Sequence, residues 1–121
     1  MTRAKIVQQE IKLNETEYCA VRLETKNASL LLLSEGEDQL GTLAVAVPQS
    51  EKMLGPPVSS ILLGDRNTII ARLIAERLAH KTGKLGLASV FTNKLSDTDA
   101  GTVFLKLFDK AFSEEKEEAK K

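Results

Sequence analysis

The chain has 121 residues, 13.2 kDa and 42% hydrophobic residues, enough for one domain that buries its own core without a metal or a disulfide. Seventeen basic side chains balance seventeen acidic ones, which argues against nucleic acid and against an anionic membrane surface as partners. A lone cysteine, Cys19, a lone histidine, His80, and 4% aromatic residues leave no disulfide, no Cys- or His-built metal centre and no stacking platform for single strands.

Met1–Lys5 is basic, but Gln8, Gln9, Glu10 and Lys12 stand where an apolar signal core would sit, and no apolar run is long enough to cross a bilayer. A cytoplasmic protein is expected. Lys5–Leu13 alternates, with Val7, Ile11 and Leu13 on one face, and predicts a strand. Asn14-Glu15 is a turn. Glu17–Thr25 alternates more cleanly: Cys19, Val21 and Leu23 are expected on the buried face, which makes Cys19 an inert core thiol. Lys26-Asn27 predicts a tight hairpin because Asn tolerates positive φ.

Ala28–Leu33 and Leu40–Val47 are continuous apolar runs joined by a polar turn, and they predict the central hairpin of the sheet. Pro48 ends the second run. The loop Gln49–Pro57 carries Met53 and Leu54, which either tuck onto the core or touch a partner.

Val58–Leu63 is a short strand, and Asp65 is placed to cap a helix over Arg66–Thr82. Ile70, Leu73, Ile74 and Leu78 form its apolar stripe, widened by Ala71, Ala75 and Ala79, with Gly83 as the stop. That belt is wider than a two-layer domain of this size needs, so a dimer interface through Ile70, Leu73, Ile74 and Leu78 is expected. Leu85–Thr92 is another apolar strand. Ser96 or Asp97 then caps a second helix, on which Phe104, Leu107, Phe108, Ala111 and Phe112 recur at helical spacing. Residues 1–112 read as a single domain. The Glu/Lys-rich tail 113–121 reads as a charged helix end that frays. The order β-β-β-β-β-α-β-α, with about six strands in a mostly antiparallel sheet and two helices, is an α+β layout.

Catalytic chemistry finds no support. The Gly64–Thr68 turn lacks the Gly-Lys-Ser/Thr ending of a phosphate loop, and Asp65 would repel a phosphate. No nucleophile lies in pattern with His80, which is read as a solvated residue loosely paired with Glu76, and the carboxylates form no acid/base dyad. No enzyme, cofactor or metal is expected, and interaction surface is what remains.

Val58-Ser59-Ser60-Ile61-Leu62-Leu63-Gly64-Asp65, then the helix ending Arg77–Thr82 with Gly83-Lys84, then a strand closing near Asn93, resemble proteasome assembly chaperone 4. Leu40-Gly41-Thr42-Leu43, closing at Pro48, is similar to proteasome assembly chaperone 3. The resemblance covers roughly Leu40–Leu95. It implies a non-enzymatic α+β chaperone that binds a proteasome core-particle α subunit, assists α-ring assembly and acts as a homodimer or as a heterodimer with a paralogue. For the α-subunit contact the loop holding Met53 and Leu54 is the first choice, and the edge Asn93–Asp99, with Asn93 and Asp97, the second. The alternative is a small dimeric roadblock- or longin-like scaffold that regulates a GTPase. The strands that precede the first long helix argue against it.

Overall fold

The computed structural model describes residues 3–49 and 58–119, with side chains as far as Ser113. Strands β1 (Lys5–Leu13), β2 (Thr16–Glu24), β3 (Ala28–Glu35), β4 (Thr42–Val47) and β5 (Val58–Leu63) precede helix α1 (Thr68–Thr82), strand β6 (Leu85–Phe91) and helix α2 (Asp97–Ala119). The element order is the expected one, and the class is α+β: a mixed, mostly antiparallel six-stranded sheet carrying two helices.

The hairpins follow from local chemistry. Asn14 and Glu15 both adopt positive φ, as a two-residue connection between twisted strands requires. At the β2–β3 turn Asn27 is not in the left-handed region; instead the Thr25 amide donates to the Ala28 carbonyl and the Ala28 amide to Thr25 Oγ1.

The sheet order is β1-β2-β3-β6-β4-β5. β3 and β4 are therefore not the expected central hairpin. β6 lies between them, parallel to β3 and antiparallel to β4. The reason lies in α1, which packs across β4, β5 and β6 and carries the chain from the β5 edge back over the sheet. β6, apolar but for Ser89, lies in the middle of the sheet between β3 and β4.

One register row, Val7–Arg22–Leu31–Ala88–Ala44–Ile61, spans all six strands on the helix side. Tyr18, Ala20, Leu33, Val90 and Ala46 share that side and form the core with Ile74, Leu78, Phe104 and Leu107. The expected phase of β2 is thus inverted: Tyr18, Ala20 and Arg22 point inward, and Cys19, Val21 and Leu23 point outward. Arg22 is the cause. It is 2% exposed, its guanidinium lies 4.2 Å from the centre of the Phe112 ring, Nη1 donates to the Ala111 carbonyl, and Nε pairs with Glu24. A cation stacked on an aromatic face and hydrogen-bonded to a carboxylate and a carbonyl is at home in a core position that charge alone argues against.

α1 begins at Thr68 rather than Arg66. Asn67, not Asp65, is its N-cap, and it adopts a left-handed conformation with no side-chain cap bond. Its side chain is diverted inward, where Nδ2 donates to Thr92 Oγ1. α2 is capped by Ser96, whose hydroxyl accepts from the Asp99 amide. It runs through Ala119, so the charged tail is helical to that residue.

Candidate interaction surface

Alternation fixes two faces on a sheet, and here both helices lie on one of them. α1 packs on β4, β5 and β6, while α2 packs on β1 and β2. The other face carries its own rows. Ile6–Leu23–Leu30–Leu87–Val45–Ser60 crosses all six strands, and Gln8–Val21–Leu32–Ser89–Leu43–Leu63 runs beside it. Val47 pairs with Val58, and Leu85 with Ala28, to extend the patch. Among the described residues no helix lies on this face. Its centre is half-buried by neighbouring side chains, and Ile6 and Val58 at its margins are each 64% exposed. One end is covered by the segment before β4: Ser34 and Gln39 bond each other, and the Gly41 amide donates to Ser89 Oγ.

The residues expected to form a dimer interface occupy a different place. Ile70, Ile74 and Leu78 are buried in the chain's own core, so they offer no surface to a second copy; Leu73 is 37% exposed. The alanines account for this. Ala71, Ala75 and Ala79 are fully buried and lie where the sheet offers Ala44, Ala46, Gly86 and Ala88. A Cβ on Gly86 would come within 2.6 Å of the Ala75 carbonyl oxygen and 2.8 Å of the Ala79 nitrogen. The wide belt is a close helix-on-sheet contact made from small residues, not surplus apolar surface.

Met53 and Leu54 lie outside the described residues. Asn93 and Asp97 are both exposed, at the corner between β6 and α2. That corner is held from below by Glu35, whose carboxylate accepts from the backbone N–H groups of Asn93, Lys94 and Leu95 at 2.9–3.1 Å. Burial pushes the Glu35 carboxyl up, but the three amides outweigh it and hold its pKa below the usual carboxylate range. Asp97 borders a hollow of about 460 Å³ between the starts of the two helices, shared with Asp65, Arg66, Asn67, Ile69 and Leu73. Two carboxylates at this mouth oppose an anion.

A second network ties the other end of the sheet. Glu24 accepts from Arg22, from Lys84 at 2.9 Å and from the Ser29 hydroxyl. Burial raises its pKa, while Ser29, Lys84 and Arg22 together bring it below the ordinary value. Cys19 is half-buried on the outward face, and its thiol is pushed up by burial and by Asp38, Glu10 and Glu17. The expected place in the core is therefore not the observed one: Cys19 lies on the opposite face of the sheet from the helices. His80 is exposed, and Glu76 accepts from Ser59 instead of pairing with it in the described contacts. Among the described residues no group of three His, Cys, Asp or Glu side chains is placed to hold a metal ion, and no helix is long and apolar enough to cross a membrane.

The outward face is not legible in the sequence: the continuous apolar runs of β3, β4 and β6 carry no alternation to separate two faces, and Val21 and Leu23 are expected on the buried one. Ile69, 84% exposed at the hollow between the starts of the two helices, is not among the expected site residues either. Its signal was present: it lies one residue off the stripe made by Ile70, Leu73, Ile74 and Leu78.

No protein-family model matches the chain, and no curated protein matches it. Its fold does have a solved counterpart. A chain from the crystal structure of a novel chaperone complex for yeast 20S proteasome assembly superposes with a TM-score of 0.68, over 95% of this chain and 97% of that one. At 13% sequence identity the likeness is one of fold.

Proposed function

We propose that this chain is a non-enzymatic assembly chaperone that works as a dimer and binds a proteasome α subunit before the α-ring closes. The observation that carries the reading is the uncovered sheet face. A domain whose described residues leave rows of Leu, Val and Ile across six strands without a second layer is built to be completed by another protein. A second copy of the chain, or a paralogue, fills that layer. The full-length likeness in fold to a proteasome-assembly chaperone chain and the Ser-Ile-Leu-Leu-Gly-Asp turn at Ser60–Asp65 support the choice of client. The cytoplasm is the compartment this role requires, and a single unpaired cysteine suits it. The role needs no cofactor.

The test is a titration of the purified full chain against individual proteasome α subunits, followed by native electrophoresis of an α-ring assembly reaction. Binding to an unassembled α subunit, with the chain absent from the finished core particle, is the expected result. A chain that binds no α subunit, or that captures a GTPase instead, overturns the reading.

A further inference from the structure

The hollow of about 460 Å³ between the starts of α1 and α2 has the volume of a small-ligand site. Three features of its lining are not accounted for by the fold. Asn67 stands in its wall, 6% exposed. Its Nδ2 donates to Thr92 Oγ1, which leaves Oδ1 a buried acceptor without a partner in the described contacts. Gly101 is the second feature. Glycine is the poorest helix former after proline. Each of the other described glycines answers to a positive φ or to backbone that a Cβ would strike within 3.0 Å. Gly101 does neither: an added Cβ would meet only Ile70 Cδ1, at 3.9 Å, so the fold has room for a side chain where the hollow has none. The third is a pair of exposed carboxylates, Asp65 and Asp97, which have no ion pair among the described residues.

We propose that this hollow binds an aliphatic cation, the side chain of an arginine or a lysine, with its stem against Ile69 and Leu73 and its head at Asp65 and Asp97. The lining selects that chemistry. The two carboxylates oppose an anion. Arg66 and the partial positive charge of the helix starts work against them, and Asp99, in the first turn of α2, restores the negative balance. A metal ion finds no group of three His, Cys, Asp or Glu side chains among the described residues. A quaternary ammonium calls for an aromatic cage, and no aromatic side chain lines the hollow. A guanidinium or a primary ammonium instead brings the N–H donors that Asp65, Asp97 and the Asn67 amide oxygen lack. Ile69, 84% exposed, and Leu73, 37% exposed, supply the apolar wall that a methylene stem covers. Gly101 leaves the space in which the stem lies. The proposal does not rest on the choice of client: it names the group the hollow takes, whichever protein presents it.

Two-dimensional NMR of the full chain tests this, with N-acetyl-arginine amide and N-acetyl-lysine amide as cationic probes and N-acetyl-glutamine amide as the neutral control. The backbone amides of Thr68, Ile69, Thr98 and Gly101 are expected to shift saturably at millimolar concentrations of at least one cation. The control is expected to bind at least tenfold more weakly. The cation that binds more tightly names the head group. Asp65→Asn combined with Asp97→Asn, at two exposed positions, is expected to weaken that binding at least tenfold while the rest of the spectrum stays in place. Gly101→Leu, which fills the space beside Ile70, is expected to abolish it while α2 keeps its helical signature. No saturable shift with either cation, equal binding of the control, or full affinity in the paired Asp variant overturns the proposal. Full affinity in a folded Gly101→Leu chain overturns it too. A chain that binds an α subunit but gives none of these shifts loses this proposal and keeps the chaperone reading.

Discussion

Glu35 and Arg22 place charged groups where an alternating pattern expects apolar ones, and each is held by named partners. Glu35 gathers three backbone amides at the β6–α2 corner. Glu35→Gln keeps the shape but weakens charge-assisted bonds, and a loss of roughly 1–3 kcal/mol is expected in urea denaturation at neutral pH. The sign of its pH dependence follows from its lowered pKa. The stabilisation is fully present above the unfolded carboxyl's pKa, about 4.3, and is lost as pH falls through the lower folded value. The gap between wild type and Glu35→Gln must therefore close in acid. A gap that is constant from neutral pH to about pH 3 would show that the carboxylate charge contributes nothing. Arg22 is the larger liability. Arg22→Ala removes the layer over Phe112 and the bond to Ala111, and should cost about 2–4 kcal/mol in the same measurement. Faster amide exchange confined to the second half of α2 would identify that contact as the one lost.

At the scale of elements, α1 and β6 decide the architecture, and they also show what a sequence reveals. The expected strands, both helices and their order could be read because period-2 and period-3.6 patterns are local properties of the chain. Strand order could not. The two apolar runs of β3 and β4 look like a hairpin, and only the span of α1 across β4, β5 and β6 opens the gap that β6 fills. Phase was lost at β2 for a similar reason: the partner that makes Arg22 acceptable, Phe112, lies 90 positions away in sequence. The α1 belt was legible as apolar, but its use was not. Small residues on a helix read as filler until the facing strand is known, and here that strand presents Gly86. Gly86→Ala tests the point. Its Cβ would meet backbone atoms of α1, which cannot rotate away, so a destabilisation of roughly 1–3 kcal/mol is expected from the overpacked contact. Unchanged stability in thermal melts would mean that α1 shifts freely on the sheet.

At the scale of the whole molecule one feature is explained by no single element: among the described residues both helices lie on one face of the sheet and the other face carries no second layer. Six strands at about 4.8 Å spacing, over the roughly five register positions they all share at ~3.4 Å each, give a face on the order of 400–500 Å² in projection. That is at the upper end of what a monomer presents, and side-chain relief brings the accessible area closer to one partner's share of a standard interface. Its rows hold Leu23, Leu30, Leu87 and Val45 at the centre, and its margins mix polar Gln8 and Ser60 with exposed Ile6 and Val58. The face and the α1 belt make opposite forecasts for the same pair of experiments. Val45→Glu with Leu87→Glu puts two carboxylates at the middle of the outward row without entering the core. Leu73→Glu charges the one exposed member of the belt. If the sheet face joins two copies, wild type and Leu73→Glu scatter light at twice the 13.2 kDa chain mass at micromolar concentration, and the double variant at the chain mass while keeping its circular dichroism. A wild type that stays at the chain mass throughout a concentration series would reserve the face for a paralogue or for the client itself. Dissociation by Leu73→Glu alone would return the interface to α1.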